Sequence, residues 1–348
     1  MEATTISENI NLSKSHGVES RDIEEELQEL VQRLPKERFG FGRDENSAVY
    51  FYQGFWCPFP LFKATISFQK HFETLDNDIF LTTPLKCGTT WMKALIFTIV
   101  NRHKFQPENN PLLTSLTPHQ AMPYVEVQFY LKNQEPNLSH IPQPRLLHTH
   151  LPYSSLPPSI RECPTAKIVY ICRNPMDMFI STWHFIENIR PANEEPFPLD
   201  EAFEKFCRGV HAYGPYSDHI LGFWKAKQEN SNKILFLKYE DVKADTFSHV
   251  KTLANFLGFP FSEEEEKKGV VEEIIKLCSF ENLKELEVNK SGYQAFGLPN
   301  SAFFRKGEVG DSTNYLTPAM VERLEKSVLG KFDKSGLTFK ISSKTNCE

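Results

Sequence analysis

FLTTPLKCGTTW, residues 80–91, leads from an apolar segment through a Gly/Thr turn into WMKALIFTIV (91–100), where the apolar spacing becomes helical. This order predicts a strand, a tight turn and a helix. Gly88 permits the turn and a close backbone approach. A phosphate at the helix start would meet free N–H groups, the positive end of the helix dipole, the Lys86 ammonium and the hydroxyls of Thr89 and Thr90. Lys93 adds a basic residue inside the first turns. The element is thus predicted to be a P-loop-like anion cradle. It is not the nucleoside-triphosphate version, because GxxxxGK[ST] puts its lysine after the second glycine, whereas Lys86 precedes the glycine of this turn by two positions. An ATP-dependent kinase or a GTPase is therefore disfavoured.

The same grammar returns in AKIVYICRNPMDMFIST (166–182): a buried-looking strand, Arg173 at its carboxyl end and Ser181 eight residues on. Ligands of open α/β sheets collect outside the carboxyl ends of strands, so Arg173 and the Lys86 turn are expected to face one crevice. Near the C terminus, FFRKGEVGD (303–311) sets Phe303 and Phe304 against Arg305, Lys306 and Gly307. Aromatic faces beside a basic pair suit a purine and its phosphates.

In this order and spacing the three segments resemble the cytosolic sulfotransferase family, and the flanking YQGFWC (52–57) is similar to its plant branch. The family's Pro-Lys-Ser-Gly-Thr-Thr-Trp is matched by Leu85 to Trp91, its Arg with a Ser eight residues later by Arg173 and Ser181, and its Arg-Lys-Gly-x-x-Gly-Asp by Arg305 to Asp311. The resemblance extends from about Gln53 to about Phe339 and implies 3'-phosphoadenosine 5'-phosphosulfate as co-substrate, with no metal. It further implies that Lys86 contacts the phosphate-sulfate bridge and that the amides of Cys87, Gly88, Thr89 and Thr90 hold the 5'-phosphate. The 3'-phosphate falls to Arg173, Ser181, Arg305, Lys306 and Gly307, and the adenine to Trp91, Tyr239 and Phe280, with Cys278 where animal members often have Thr. In LLHTHLP (146–152), His148 and His150 share one face of a strand. His150 takes the place of the family's catalytic base, a histidine near neutral pKa able to accept the acceptor's proton. His148 stands where the animal pattern has lysine and is not assigned a catalytic role.

The acceptor is expected to be a small hydroxylated plant metabolite. Phe55, Tyr124, Trp183, His184 and Phe185, with Trp56, fall near family positions that line an apolar pocket, and a flavonoid or other phenolic is preferred over a steroid, hydroxyjasmonate or a desulfoglucosinolate. A donor-binding protein without turnover is the alternative, motivated by the substitutions at Leu85, Cys87, His148 and Ser312. The animal dimer motif is poorly kept beyond Thr317 and Glu322, which predicts a monomer or weak homodimer.

Composition is compatible with this. The chain has 348 residues, 40% hydrophobic and 24% charged, and a net charge of −6 that gives no general surface for nucleic acid. No apolar run approaches a membrane span and the N terminus lacks a secretory block, so a cytoplasmic location is expected. Seven scattered cysteines without CxxC pairs fit reduced thiols. Strand candidates 78–83, 144–150, 167–173 and 233–241 alternate with helical segments such as 199–214 and 249–259. They predict a single α/β domain over 41–345, its central parallel sheet flanked by helices. Residues 1–40 are expected to be a mostly flexible tail with a short amphipathic helix at 23–34, ended by Pro35. SEEEEKK (262–268) reads as a solvated helix start, and 134–144 and 289–301 as candidate lids.

Overall fold

The computed structural model describes residues 16–41 and 45–340. Four strands, β4 (Ile79–Thr82), β5 (Leu146–Thr149), β6 (Lys167–Cys172) and β7 (Ile234–Lys238), form a parallel sheet in the order β5-β4-β6-β7. All of β4 and β5, and β6 apart from Lys167, are buried, as expected of a parallel sheet covered on both faces. Thr82 pairs with Thr149 on one side and Tyr170 on the other. β4 and β5 therefore finish level and β6 runs two residues further, with Thr83, His150 and Arg173 just beyond the three ends.

The predicted 78–83, 144–150 and 167–173 correspond to β4, β5 and β6. The fourth differs: β7 ends at Lys238, because Tyr239 opens a helix, Tyr239–Ala244. Tyr239 thus leaves the sheet at the rim of the crevice. Of the two helical segments, 199–214 is helix only over Leu199–Cys207, and 249–259 lies within Thr246–Leu257, which Gly258 ends in the left-handed region at φ 84°.

A three-stranded antiparallel sheet, β1 (Lys36–Arg38), β2 (Ala48–Tyr52) and β3 (Phe55–Pro58), was not expected from the sequence. It joins the N-terminal segment to the body, so residues 23–40 of the mostly flexible tail expected over 1–40 are packed on the rest of the chain. The helix α1 (His16–Arg33) is longer than the predicted 23–34, and its Ile23 is buried in the main core with Leu27, Leu30, Val31 and Leu34 packed beside it. Glu24 and Glu26 pair with Lys63 and Lys70 of α2 (Phe59–His71), each at 2.5 Å. The tail expected over 1–15 lies outside the described residues.

The acidic run at 262–268 starts the helix Glu263–Lys267 through a Ser262–Glu265 capping box. It is less solvated than predicted, because the Glu265 carboxylate receives Arg102 Nε at 2.7 Å. That bond is the first cause holding its carboxyl down at about 2. In the predicted lid 134–144, Leu138 and Ile141 pack against the core. In 289–301, Asn300 Nδ2 ties the loop to the carbonyls of Val288 and Ser291 at 2.9 and 2.6 Å, leaving Tyr293 and Phe296 exposed.

At the amino end of the sheet, Arg145 and Asp78 form a buried pair, with Nε to Oδ1 at 2.8 Å and a second guanidinium contact to the other carboxylate oxygen. Arg145 also donates to the Glu73 carbonyl at 2.8 Å. The pair pins the starts of β4 and β5 to each other. Arg145→Met leaves Asp78 buried without its counter-charge and should cost about 3–5 kcal/mol, read as a lower urea midpoint with an unchanged slope.

Candidate active site

The cradle is built where β4 gives way to α3 (Thr89–Asn101). Lys86 and Gly88 both take left-handed backbone conformations, at φ 58° and 94°. For Gly88 this is free of strain, and a side chain there would also collide with Tyr239, 2.7 Å from the Cβ position. For Lys86 it is a strained geometry, of the kind retained at functional sites. Its ammonium lies 4.2 Å from the centre of the Phe185 ring and makes no ion pair among the described residues. Burial pushes it down to about 7, and Arg173 and Arg305 reinforce the shift by repulsion.

Around this cation the distant segments converge. One cavity is lined by Leu85, Lys86, Gly88, Thr89, Thr90 and Trp91 from the cradle, by His150, by Arg173 and Ser181, and by Phe185 and Tyr239. Phe280, Phe303, Phe304, Arg305, Lys306 and Gly307 close it. Arg173 sits over the Tyr239 ring at 4.7 Å, while Tyr239 Oη donates to the Gly307 carbonyl at 2.9 Å. Gly307, at φ 68°, leaves room for Phe280, whose ring lies 2.7 Å from where a Cβ would stand. Arg305 and Lys306 both hold Asp311 at 2.6 Å. Burial opposes ionisation of Asp311, but these partners outweigh it and hold the carboxyl at about 2. The Nε atoms of Arg173 and Arg305 are buried without a hydrogen-bond partner. The site is therefore rich in cationic donors, two of whose nitrogens the protein itself leaves unsatisfied.

The loop carrying Arg305 is clasped to the helix Pro175–Ile189. The Asp177 carboxylate accepts from the backbone N–H groups of Gly310 at 2.6 Å and Ser312 at 2.9 Å. Ser312 contributes its amide to this clasp, so the substitution at that position leaves the contact in place.

His150 lies across the β4 strand end. Its Nδ1 reaches the Thr83 carbonyl at 2.7 Å, which requires that nitrogen to carry the proton and leaves the lone pair on Nε2. The expectation of a near-neutral pKa is not met. Burial drives the imidazole down to about 3; the Thr83 carbonyl works against the shift, and Lys93, His219 and Lys86 add to it. The ring is thus neutral at any physiological pH. Tyr124 meets it edge-on at 5.2 Å, and Tyr213 lies at 5.4 Å on another side, with the two tyrosine hydroxyls hydrogen-bonded to each other. His148 is buried beside it, ring centres 4.4 Å apart, with neither nitrogen partnered.

Several residues proposed from the sequence point elsewhere. Cys87, assigned for its amide and not its side chain, turns its thiol into the core, the sulfur 3.4 Å from Tyr216 Oη, and burial pushes the thiol up to about 12. Cys278 is also core, its thiol on Thr98, and the neighbouring Ser279 lines the cavity instead. Phe55 is fully buried behind Tyr213, at 6.2 Å, and does not line the cavity. Trp183 donates its indole N–H to the Phe197 carbonyl at 2.8 Å, away from the crevice. On that helix Ser181 and Phe185, four apart, share a face that Trp183 cannot. His184 belongs to an adjoining cavity with Phe185 and Asn188. The sequence reading missed His119, Lys243 and Thr246 in the lining, and Lys93, named there as a basic residue of the cradle's helix, is buried.

Residues 76–336 match the sulfotransferase domain. The chain belongs to the sulfotransferase family. It is 50% identical over 321 residues to cytosolic sulfotransferase 15 of Arabidopsis thaliana, covering 91% of this chain and 88% of that one. It is 44% identical over 320 residues to flavonol 4'-sulfotransferase of Flaveria chlorifolia, covering 91% and 98%. Among solved structures, an Arabidopsis thaliana sulphotransferase superposes with a TM-score of 0.71 at 37% identity, covering 92% of this chain and 97% of the other. A mouse sulfotransferase complexed with PAP does so with 0.64 at 26% identity, covering 82% and 94%. Among the described residues no helix is long and apolar enough to cross a membrane, and no group of His, Cys, Asp and Glu side chains could hold a metal.

Gly307→Ala forces a left-handed backbone on a residue that resists it and displaces Phe280. It should lower stability by about 1–3 kcal/mol in a urea titration.

Proposed function

We propose that this sulfotransferase moves a sulfuryl group from 3'-phosphoadenosine 5'-phosphosulfate to a hydroxyl of a small plant metabolite, a flavonoid or other phenolic, in the cytoplasm and as a monomer or weak dimer. The observation that carries the reading is the set of cations, Lys86, Arg173 and Arg305, in one cavity with two unpartnered guanidinium nitrogens and a neutral imidazole at one end. The bisphosphate in the mouse relative and the flavonol acceptor of the Flaveria relative support the choice of donor and acceptor class.

The residues present fit such a donor. The glycine-formed hollows at Gly88 and Gly307 leave backbone exposed for close approach, the start of α3 offers its free N–H groups to the 5'-phosphate, and Arg173, Ser181 and Arg305 would hold the 3'-phosphate. Trp91, Tyr239 and Phe280 would flank the adenine. The donor supplies the activated bond: the acceptor oxygen bonds to sulfur as the bond from sulfur to the bridging phosphate oxygen breaks, and adenosine 3',5'-bisphosphate leaves with the electron pair. His150 takes the acceptor's proton on Nε2, its ring held in that tautomer by the Thr83 carbonyl. Its low basicity in the absence of an anion rises once negative charge is bound nearby. Lys86 stabilises the charge that grows on the leaving oxygen.

Two measurements test this. His150→Ala should reduce turnover by about 10²- to 10⁴-fold while adenosine 3',5'-bisphosphate binds as before in calorimetry; equal losses in both would make His150 structural. The second concerns pH. Lys86 titrates at about 7 without ligand, and a bound phosphate dianion restores it toward 10.5, so binding takes up a proton between those values. Bisphosphate affinity should be highest near pH 7 and fall by up to about tenfold per unit as pH rises toward 10. Lys86→Met should weaken binding at pH 7 and flatten that slope.

A further inference from the structure

Lys93 is an expensive residue to keep. It is fully buried, it forms no ion pair among the described residues, and burial pushes its ammonium down to about 7. The nearest carboxyl by its electrostatic effect, Glu126, does not neutralise it in full, because burial raises that group to about 8 and its Oε1 is taken by the Thr149 hydroxyl at 2.5 Å. A methionine of the same length would fill the space at lower electrostatic cost. What Lys93 does contact is His119 Nδ1, at 3.4 Å.

His119 comes from α4 (Pro118–Ala121), which opens on a Thr117–Gln120 capping box and packs on α3. Its ring lies at 4.1 Å from Phe303, in the wall of the cavity, and its other nitrogen, Nε2, is 3.1 Å from Thr90 Oγ1. Burial, with Lys93, Lys86 and His150, keeps the imidazole neutral. A neutral imidazole has one donor and one acceptor nitrogen, and an ammonium can only donate. In its charged form Lys93 therefore fixes Nδ1 as the acceptor and Nε2 as the N–H. That N–H occupies a lone pair of Thr90 Oγ1, which leaves the hydroxyl proton of Thr90 free to turn into the cavity.

We propose that Lys93 and His119 are positioning residues that hold Thr90 as a one-way donor, carrying the polarisation of a buried ammonium to the phosphosulfate end of the bound donor. The proposal rests on the transfer reading above and adds two residues to it. No proton passes along the chain Lys93–His119–Thr90. Three hydrogen bonds, each oriented the same way, strengthen the last one as negative charge shifts onto the leaving phosphate in the transition state. Thr90 touches the reacting group; the other two act through it. The arrangement also supplies a buried positive charge near the acceptor end of the crevice, where His148 replaces a lysine.

Four variants test it in the full-length protein: Lys93→Met, His119→Leu, His119→Gln and Thr90→Val. Lys93→Met and His119→Leu should each lower kcat roughly 10- to 100-fold, the range of one charge-assisted hydrogen bond, with the adenosine 3',5'-bisphosphate dissociation constant within about threefold of the parent. Lys93→Met should melt no lower than the parent, which separates a positioning role from a structural one. His119→Gln keeps one acceptor and one donor and should retain most of the turnover. Lys93→Met combined with Thr90→Val should be no slower than the worse single variant. In ¹⁵N spectra of histidine-labelled protein, His119 should show the Nε2–H tautomer. The relay is overturned if His119→Gln is as slow as His119→Leu, if the Lys93 and Thr90 losses multiply, or if the tautomer is Nδ1–H. An inactive parent chain would overturn the transfer reading with it, whereas an active parent with unaffected variants would overturn the relay alone.

Discussion

Like charges held together in a buried place repel, and the crevice of this protein is organised around that constraint. Lys86 leaves a strand end in a strained backbone conformation, and Arg173 and Arg305 arrive from two other parts of the chain to face it. Asp311 and Asp177 offset part of the charge, yet Lys86 is left to shed its proton near pH 7. A parallel sheet makes the gathering possible, because its strands end on one side and each delivers the next residue to the same rim. An anion brought among these cations would relieve the repulsion and restore the Lys86 proton.

The carrying segments were readable because their chemistry is local. A glycine between a strand and a helix, with lysine before it and threonines after, needs no tertiary information to suggest an anion. Arg173 with Ser181 and the Arg305–Gly307 run were placed by the same logic, and the four strands by their apolar character. What the sequence left hidden depends on rotation and on contacts made at a distance. Trp183 and Phe185 are two apart on a helix and point to different sides, which a match of segments cannot tell. Cys278 and Ser279 pose the same problem at a helix end, and the sulfur, being apolar, goes inward. His119 sits in a short capped helix far from any of the motifs, and only the docking of that helix on α3 brings it to Thr90.

The basicity expected of His150 is where sequence and structure part in a more instructive way. Its place at the end of β5 was legible, but its basicity was taken from the free imidazole. The folded chain encloses the ring between two tyrosines and against a second histidine, and burial, with Lys93, His219 and Lys86, outweighs the Thr83 carbonyl and favours the neutral form. A base in such a place is always unprotonated and is a poor proton acceptor until an anion arrives. The electrostatics of the empty crevice and those of the working one are different, and only the second bears on the chemistry.

The Asp177 carboxylate holds two amides of the segment that follows Arg305 and Lys306, while its own helix bears Ser181. Two walls of the cavity, Ser181 on the helix and the Arg305–Gly307 run, are thereby fastened to each other. Loosening that one carboxylate would free both walls together, so a change at a residue outside the cavity lining would alter the cavity's shape.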